Sequence, residues 1–321
     1  MSLELEDLKV VALAGGVGGA KLVLGLDRVL KPGNLSVIVN TGDDFEHFGL
    51  SISPDLDTIC YTLAGIVDPK KGWGLADESY HVSEHLKSLQ APTWFTLGDK
   101  DIATHLERNR LLHEGWSLSQ VTRHFCQLWG VHSWVFPMSD LRARTLVNTK
   151  DKGLMSFQEY FVKHQFQPEV LNLVYERSDG TKLPEAASKA LEACDLVVIS
   201  PSNPLLSIAP ILNDKDLRNL LQSKPVIAVS PIIQGQALKG PAAKLYKELG
   251  FEPHAKTVLV AYEAFLDAFI YDVLDAPDFE NEVFKDIIIH KAQTIMKSES
   301  DKIALARTVL VLGLQILEKP L

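Results

Sequence analysis

The stretch Gly15-Gly16-Val17-Gly18-Gly19-Ala20-Lys21 has the composition of an anion cradle. Glycines leave backbone N–H groups open to a ligand, a following helix adds its positive N-terminal end, and Lys21 adds a full charge. The dinucleotide fingerprint requires a third glycine where Lys21 stands. The nucleoside-triphosphate loop requires Gly-Lys-Ser/Thr, but the chain reads Ala20-Lys21-Leu22 and lacks the magnesium-binding hydroxyl. A mononucleotide or a diphosphate therefore fits better than NAD or a hydrolysable triphosphate.

Carboxylates are the second feature. Asp43 and Asp44 follow an apolar run, Asp55 and Asp57 open a helical pattern, and Asp99 and Asp101 flank Lys100. Hard oxygen ligands of this kind suit magnesium held together with substrate phosphates. Asp55, at a helix start, is accounted for by capping. The Asp43-Asp44 pair, in a loop beside the cradle, points to a metal or substrate role. His81 and His85, at i and i+4 with no third ligand nearby, read as a solvated helical face. His105 either helps to bind an anion or packs as a buried polar group. Trp73, between Gly72 and Gly74, is the tryptophan best placed to line a flat-ring pocket. There is no G-x-S-x-G elbow and no Cys/His nucleophile pattern.

Three loops must bring these residues together: 15–21, 40–44 and 200–203. Each follows an apolar run with no polar alternation, which reads as a buried strand: 9–14, 35–40 and 195–200. Residues 224–230 form another such run. Leu22, Val23, Leu26 and Leu30 recur at helical spacing, and Pro32-Gly33 ends that pattern. Strand, glycine turn, helix and strand make one right-handed βαβ unit of a parallel sheet. In such sheets ligands bind beyond the carboxyl ends of the strands, where these loops lie.

Further helices are expected at 56–66, over most of 78–128, near 156–164, and at 184–193, 241–250 and 300–316. A short strand is expected at 93–97 and β-rich pieces between 131 and 175. The fold class is α/β: one Rossmann-like, doubly wound, mainly parallel sheet over 1–321, with a largely helical or mixed insertion at about 60–180.

Composition narrows the partners. Of the 321 residues, 46% are hydrophobic and 23% charged, the balance of a soluble globule with a sizeable core. The net charge of -9 excludes broad binding to phosphate backbones, so no nucleic-acid partner is expected. It leaves room for one local basic pocket. No run of 18 apolar residues occurs, so no membrane partner is expected. Residues 1–9 are acidic and lack the apolar core of a signal peptide. Cys60, Cys126 and Cys194 are few and scattered, which fits a reducing compartment and offers no zinc spacing. A cytoplasmic protein that handles small molecules is expected.

Several strings, in order, then carry a family resemblance. They are the glycine string with Val39-Asn-Thr-Gly-Asp-Asp44, Ser53-Pro-Asp-Leu-Asp-Thr58, Gly72-Trp-Gly74 and Leu97-Gly-Asp-Lys-Asp-Ile-Ala-Thr-His105. Pro137-Met-Ser-Asp140, Ser200-Pro-Ser-Asn-Pro204, Val229-Ser-Pro-Ile-Ile233 and Gly240-Pro-Ala-Ala-Lys244 follow. Together they resemble the 2-phospho-L-lactate transferase family, a resemblance that covers residues 8 to about 275.

The resemblance implies an enzyme of deazaflavin coenzyme (F-420) biosynthesis. Such enzymes move a phospholactyl or phosphoenolpyruvyl group from a guanosine diphosphate adduct to the deazaflavin alcohol FO, release GMP, need magnesium and are commonly homodimers. It implies that Gly16, Gly18, Gly19 and Lys21 hold the diphosphate, and that Ser202 and Asn203 reach the guanosine diphosphate. Asp43 would hold magnesium with Asp44 near it. Asp57 and Lys100 would face the deazaflavin, and Asp57 would orient the attacking hydroxyl or take its proton. The family often has Arg where this chain has Lys100, and residues 257–261 lack a glycine common there. The competing reading is a nucleotide-sugar-binding regulatory protein of the gluconeogenesis-factor type. It shares the fold and the glycine loop but has no need of the Ser53 to Asp57 and Leu97 to Asp101 strings. A dehydrogenase is excluded by the missing glycine and the lack of a hydride-transfer acid/base set. Lactate, enolpyruvate and glycerate remain open as the donor acid.

Overall fold

A computed structural model describes residues 4–237, 242–275, 284 and 286–318. Apolar runs without alternation become strands buried on both faces. They are β1 (Val10–Ala14), β2 (Leu35–Val39), β9 (Leu196–Ile199), β10 (Val226–Val229) and β13 (Ala268–Asp272), every residue of which is buried. With edge strands β5 (Trp134–Pro137) and β14 (Ile288–Ala292) they form one seven-stranded parallel sheet in the order β14-β13-β10-β9-β1-β2-β5.

Alternate residues of each strand feed opposite layers. Val10, Ala12 and Ala14 of β1 face Leu22, Val23 and Leu26 of α1 (Gly16–Val29) and Leu305, Val309 and Leu310 of α11 (Glu299–Leu317). Val11 and Leu13 face the opposite layer. It contains α6 (Glu185–Ala193), α8 (Lys215–Leu221) and α10 (Ala255–Tyr262), which contribute Leu191, Leu217 and Leu259. Each fully buried Leu or Val is worth about 1.5–3 kcal/mol, so the two layers hold the strand ends and their loops rigidly. Ser298 closes a capping box at the start of α11, and Gly65 at φ +71° ends α2 (Pro54–Ala64).

The connection from β2 to β5 is long. It holds the hairpin β3 (Phe45–His47) and β4 (Leu50–Ile52), then α2, α3 (His81–Ser88), α4 (Asp99–His113) and α5 (Leu118–Leu128). After β5 comes a small antiparallel sheet, β7-β6-β8, made from β6 (Ala143–Thr149), β7 (Gly153–Ser156) and β8 (Val170–Arg177), with a π-helical turn at Glu159–Lys163. The stretch at about 60–180 thus supplies the edge strand β5 as well as helices. α7 (Ala209–Leu212) follows β9, and β11 (Ile232–Ile233) pairs with β12 (Gln236–Ala237) after β10. α9 (Ala242–Glu248) matches the helix expected at 241–250, of which Pro241 lies outside the described residues.

Residues 93–97 do not form the expected strand. Trp94, Phe95 and Leu97 instead pack their side chains on Phe45 and Ile52, and Pro92 withholds a ladder N–H at the entrance. Among the described residues no helix is long and apolar enough to cross a membrane.

Candidate functional site

The loops after β1, β2, β9 and β10 border one cavity of about 870 Å³, to which Gly16, Asp43, Ser202 and Ser230 contribute. Its far wall comes from α2, α4 and the Trp73-Gly74 loop. The sheet thus presents a site beyond its carboxyl ends, where doubly wound folds bind ligands.

The helix after β1 begins at Gly16, earlier than the apolar pattern alone indicates. Gly16 turns with φ +61°, a conformation glycine adopts without steric cost. Its N–H donates to Asp55 Oδ1 at 2.8 Å, and Asn40 Nδ2 donates to Asp55 Oδ2 at 2.9 Å. Asp55 therefore ties the glycine turn to the end of β2. The capping role expected for it is not found: its oxygens face Gly16 and Asn40 and not the first turn of α2. A Cβ on Gly18 would strike the carbonyl oxygen of Pro201, so the glycine turn lies against the loop after β9. Ser202 Oγ accepts from Gly15 N (3.0 Å) and donates to Gly15 O (2.8 Å), clamping the two loops together. Asn203 Oδ1 accepts from the N–H groups of Leu205 and Leu206, capping the π-helical turn Pro204–Ile208. Val17 and Gly18, in the first turn of α1, have amides without an intrahelical acceptor and line the cavity. That is the geometry of an anion site. Lys21 lines the same wall, with its Nζ donating to Met296 O at 3.0 Å.

Asp43 is buried on the cavity wall, and its Oδ1 carries no hydrogen bond among the described residues. Burial, with the charges of Asp55 and Asp44 adding to it, pushes its carboxyl well above the usual range. Asp44 Oδ1 is likewise unpartnered, while its Oδ2 accepts from Ser53 Oγ at 2.7 Å. Its carboxyl too is pushed well up, mainly by burial. Buried carboxylate oxygens without a donor are what a divalent cation would satisfy, so these residues fit magnesium. Among the described residues no three His, Cys, Asp or Glu side chains gather as a ready ligand set. A cation here would complete its shell with substrate oxygens and water, as magnesium commonly does beside phosphates.

The far wall is a buried charge network. Arg108 grips Asp57 through both oxygens, Nη1 to Oδ2 at 3.1 Å and Nη2 to Oδ1. Arg108 Nη1 also reaches His105 Nδ1 at 3.0 Å. Burial, reinforced by Arg108, drives the His105 imidazole down to about 4. Tyr61 donates its hydroxyl to Asp101 Oδ1 at 3.0 Å. Burial, with Asp57 adding charge repulsion, raises the Asp101 carboxyl to about 6.

Of the sequence candidates, the cavity wall includes Gly16, Gly18, Lys21, Asp43, Asp57, Ser202 and Asn203. Gly19, Asp44 and Lys100 stand outside the lining. Gly19 packs on Ser202 and Ala14. Lys100 points its Nζ to the carbonyl of Ala76 at 2.8 Å, pinning the loop that carries Trp73. Asp99 accepts from the N–H groups of His81 and Val82 at the start of α3, a capping role. His81 and His85 are exposed, as the solvated-face reading has it, and Trp73 lines the cavity. Sequence reasoning passed over Arg108 and Tyr61. Their only signal was position: Tyr61 lies one turn after Asp57, and Arg108 one turn after His105.

A profile of the family described as 2-phospho-L-lactate transferase CofD matches residues 10–309. A 2-phospho-L-lactate transferase of Methanocaldococcus jannaschii is 36% identical over 304 residues, covering 94% of this chain and 97% of that protein. A phosphoenolpyruvate transferase of Thermobifida fusca is 35% identical over 325 residues, covering 97% and 100%. Among solved structures, protein BH3568 of Bacillus halodurans superposes with a TM-score of 0.61 at 12% identity, covering 95% of this chain and 99% of that one. At that identity the likeness concerns the fold alone.

Proposed function

This chain belongs to the 2-phospho-L-lactate transferase family, transferases of coenzyme F-420 biosynthesis, and we propose that it moves a phospholactyl or phosphoenolpyruvyl group from a guanosine diphosphate adduct to FO, releasing GMP. The observation that carries this reading is a meeting on one cavity wall. An anion-binding glycine turn stands there with Asp43, a buried carboxylate whose Oδ1 has no partner among the described residues. Transfer of a substituted phosphate needs positioning and charge neutralisation more than a covalent nucleophile.

In this reading the open amides of the turn, at Val17 and Gly18, with Lys21, bind the diphosphate, while Gly16 shapes the turn through Asp55 and Gly19 packs it on Ser202. Ser202 and Asn203 fix the loop against which the guanosine diphosphate lies. Asp43, with Asp44 close by, holds magnesium. When bound, the cation neutralises phosphate oxygens and steadies the leaving GMP. Trp73 offers a flat face to the deazaflavin ring. Asp57, held by Arg108, orients the attacking ribityl hydroxyl, and Lys100 shapes the acceptor side through the Ala76 loop. The protein acts in the cytoplasm as a homodimer. Fluorescence titration with FO, in the presence of GDP and magnesium, tests this reading. Saturable, stoichiometric binding supports it. Absent FO binding alongside clear binding of GDP or a nucleotide sugar would move the assignment to a regulatory protein.

A further inference from the structure

Among the described residues four carboxylates line the cavity, Asp43, Asp55, Asp57 and Asp101, and one imidazole, His105, joins them. A base for the acceptor hydroxyl needs an oxygen or nitrogen lone pair that the fold has not already committed. Asp55 has both oxygens engaged, by Gly16 N–H and by Asn40. Asp57 has both oxygens held in the fork of Arg108. His105 Nδ1 faces Arg108 Nη1 at 3.0 Å, and a guanidinium only donates. Nδ1 is therefore the acceptor, Nε2 carries the hydrogen, and the neutral ring has no lone pair left for a proton. Asp43 sits beside the glycine turn, on the phosphate side.

Asp101 is different. Its Oδ1 takes the Tyr61 hydroxyl, and its Oδ2 carries no hydrogen bond among the described residues. That Oδ2 lies beside Gly74, another lining residue, close to Trp73. It stands on the wall that also holds Asp57.

We infer that Asp101 is the base that takes the proton of the attacking acceptor hydroxyl, while Asp57 orients that hydroxyl. This rests on the transferase reading above. The hydroxyl oxygen bonds to the phosphorus that bears the organic acid. The bond from that phosphorus to the GMP oxygen breaks, GMP leaves with the electron pair, and the hydroxyl proton passes to Asp101 Oδ2. The titratable and charged groups facing Asp101 are Asp57 and Tyr61 of α2, Arg108 of its own helix, and Glu78 and Lys71 of the preceding loop. Its elevated pKa, about 6, lies nearer neutrality than an ordinary carboxylate's, which suits a group that must gain and then lose a proton.

The test is a pH profile of kcat/KM for FO, with FO binding followed in parallel by fluorescence. Wild type rises through an acidic limb near pH 6 to a plateau. Asp101→Asn loses about 10²–10⁴-fold in kcat, as removal of a general base does. It also loses the acidic limb and binds FO within about threefold of wild type, a range too small to account for that loss. Tyr61→Phe keeps the carboxylate but removes the hydrogen bond that favours its charged form, so the limb moves to higher pH. An Asp101→Asn variant with more than a tenth of wild-type kcat, or with the limb intact, overturns the inference. So does a loss of FO binding that matches the loss of rate, or a limb unmoved by Tyr61→Phe. Wild type that forms no product with FO overturns the transferase reading itself, and the base assignment falls with it.

Discussion

Arg108 holds both carboxylate oxygens of Asp57, and both side chains are buried. The pair joins α4 to α2 across the far wall of the cavity. It positions Asp57 on the cavity wall and ties two helices together, so one contact serves both the fold and the site.

Removing one partner of a buried pair leaves the other charge uncompensated. Arg108→Ala is therefore expected to lower unfolding free energy by about 3–5 kcal/mol. The double variant Arg108→Met with Asp57→Leu removes both charges and is expected to recover at least half of that loss. Urea denaturation of the three proteins measures it. Additive losses would show that the two residues act separately.

Asp101 links stability to pH. Its folded-state pKa, about 6, lies above the ordinary value of 3.8, so the folded protein favours the protonated form. The stability this contributes is fully present below pH 3.8 and is lost as pH rises through about 6. Asp101→Asn removes the charge that costs stability at neutral pH. It is expected to be more stable than wild type by about 3 kcal/mol at pH 7.5, with the difference shrinking towards pH 4. Paired denaturation curves at the two pH values check the sign. A variant less stable than wild type at pH 7.5 would mean that the carboxylate is held by favourable contacts.

Gly18 has no room for a side chain, because a Cβ would meet the carbonyl of Pro201. Gly18→Ala must push the glycine turn away from the loop after β9 and misalign the amides that face the anion. GDP affinity is expected to fall at least about tenfold, or 1.4 kcal/mol. Isothermal titration with GDP measures this. Unchanged affinity would place the diphosphate elsewhere in the cavity.

Asp43 supplies a buried oxygen that nothing among the described residues satisfies. Asp43→Asn is expected to abolish magnesium-dependent transfer and to remove the rise in melting temperature that magnesium with GDP gives wild type. The metal-free variant is expected to melt no lower than wild type, since an amide is cheaper to bury than an unpaired carboxylate. Differential scanning calorimetry with and without magnesium reads both effects. An equal magnesium shift in the variant would remove Asp43 from the metal site.

The central strands were legible because they are buried on both faces and so read as unbroken apolar runs, as at 9–14 and 224–230. The glycine turn was legible because its residues are consecutive. β14 was not, because its half-exposed edge position puts His290 and Lys291 into the run and breaks the apolar signal. The β3–β4 hairpin, of three-residue strands, is too short to show alternation. In the site, Asp43 and Asp57 stood out as carboxylates in loop and helix-start strings. Arg108 did not, since an arginine inside a charged helix reads as surface until the fold buries it against Asp57. Lys100 stood out by its charge, yet its amine is spent on the carbonyl of Ala76.

The most direct measurement is product analysis by mass spectrometry after incubation of the protein with FO, magnesium and each guanosine-diphosphate-linked donor in turn. The expected result is a phospholactyl or phosphoenolpyruvyl ester of FO, formed one for one with GMP and absent without magnesium. No ester from any donor, with FO unchanged and GDP still bound, would contradict the transferase assignment.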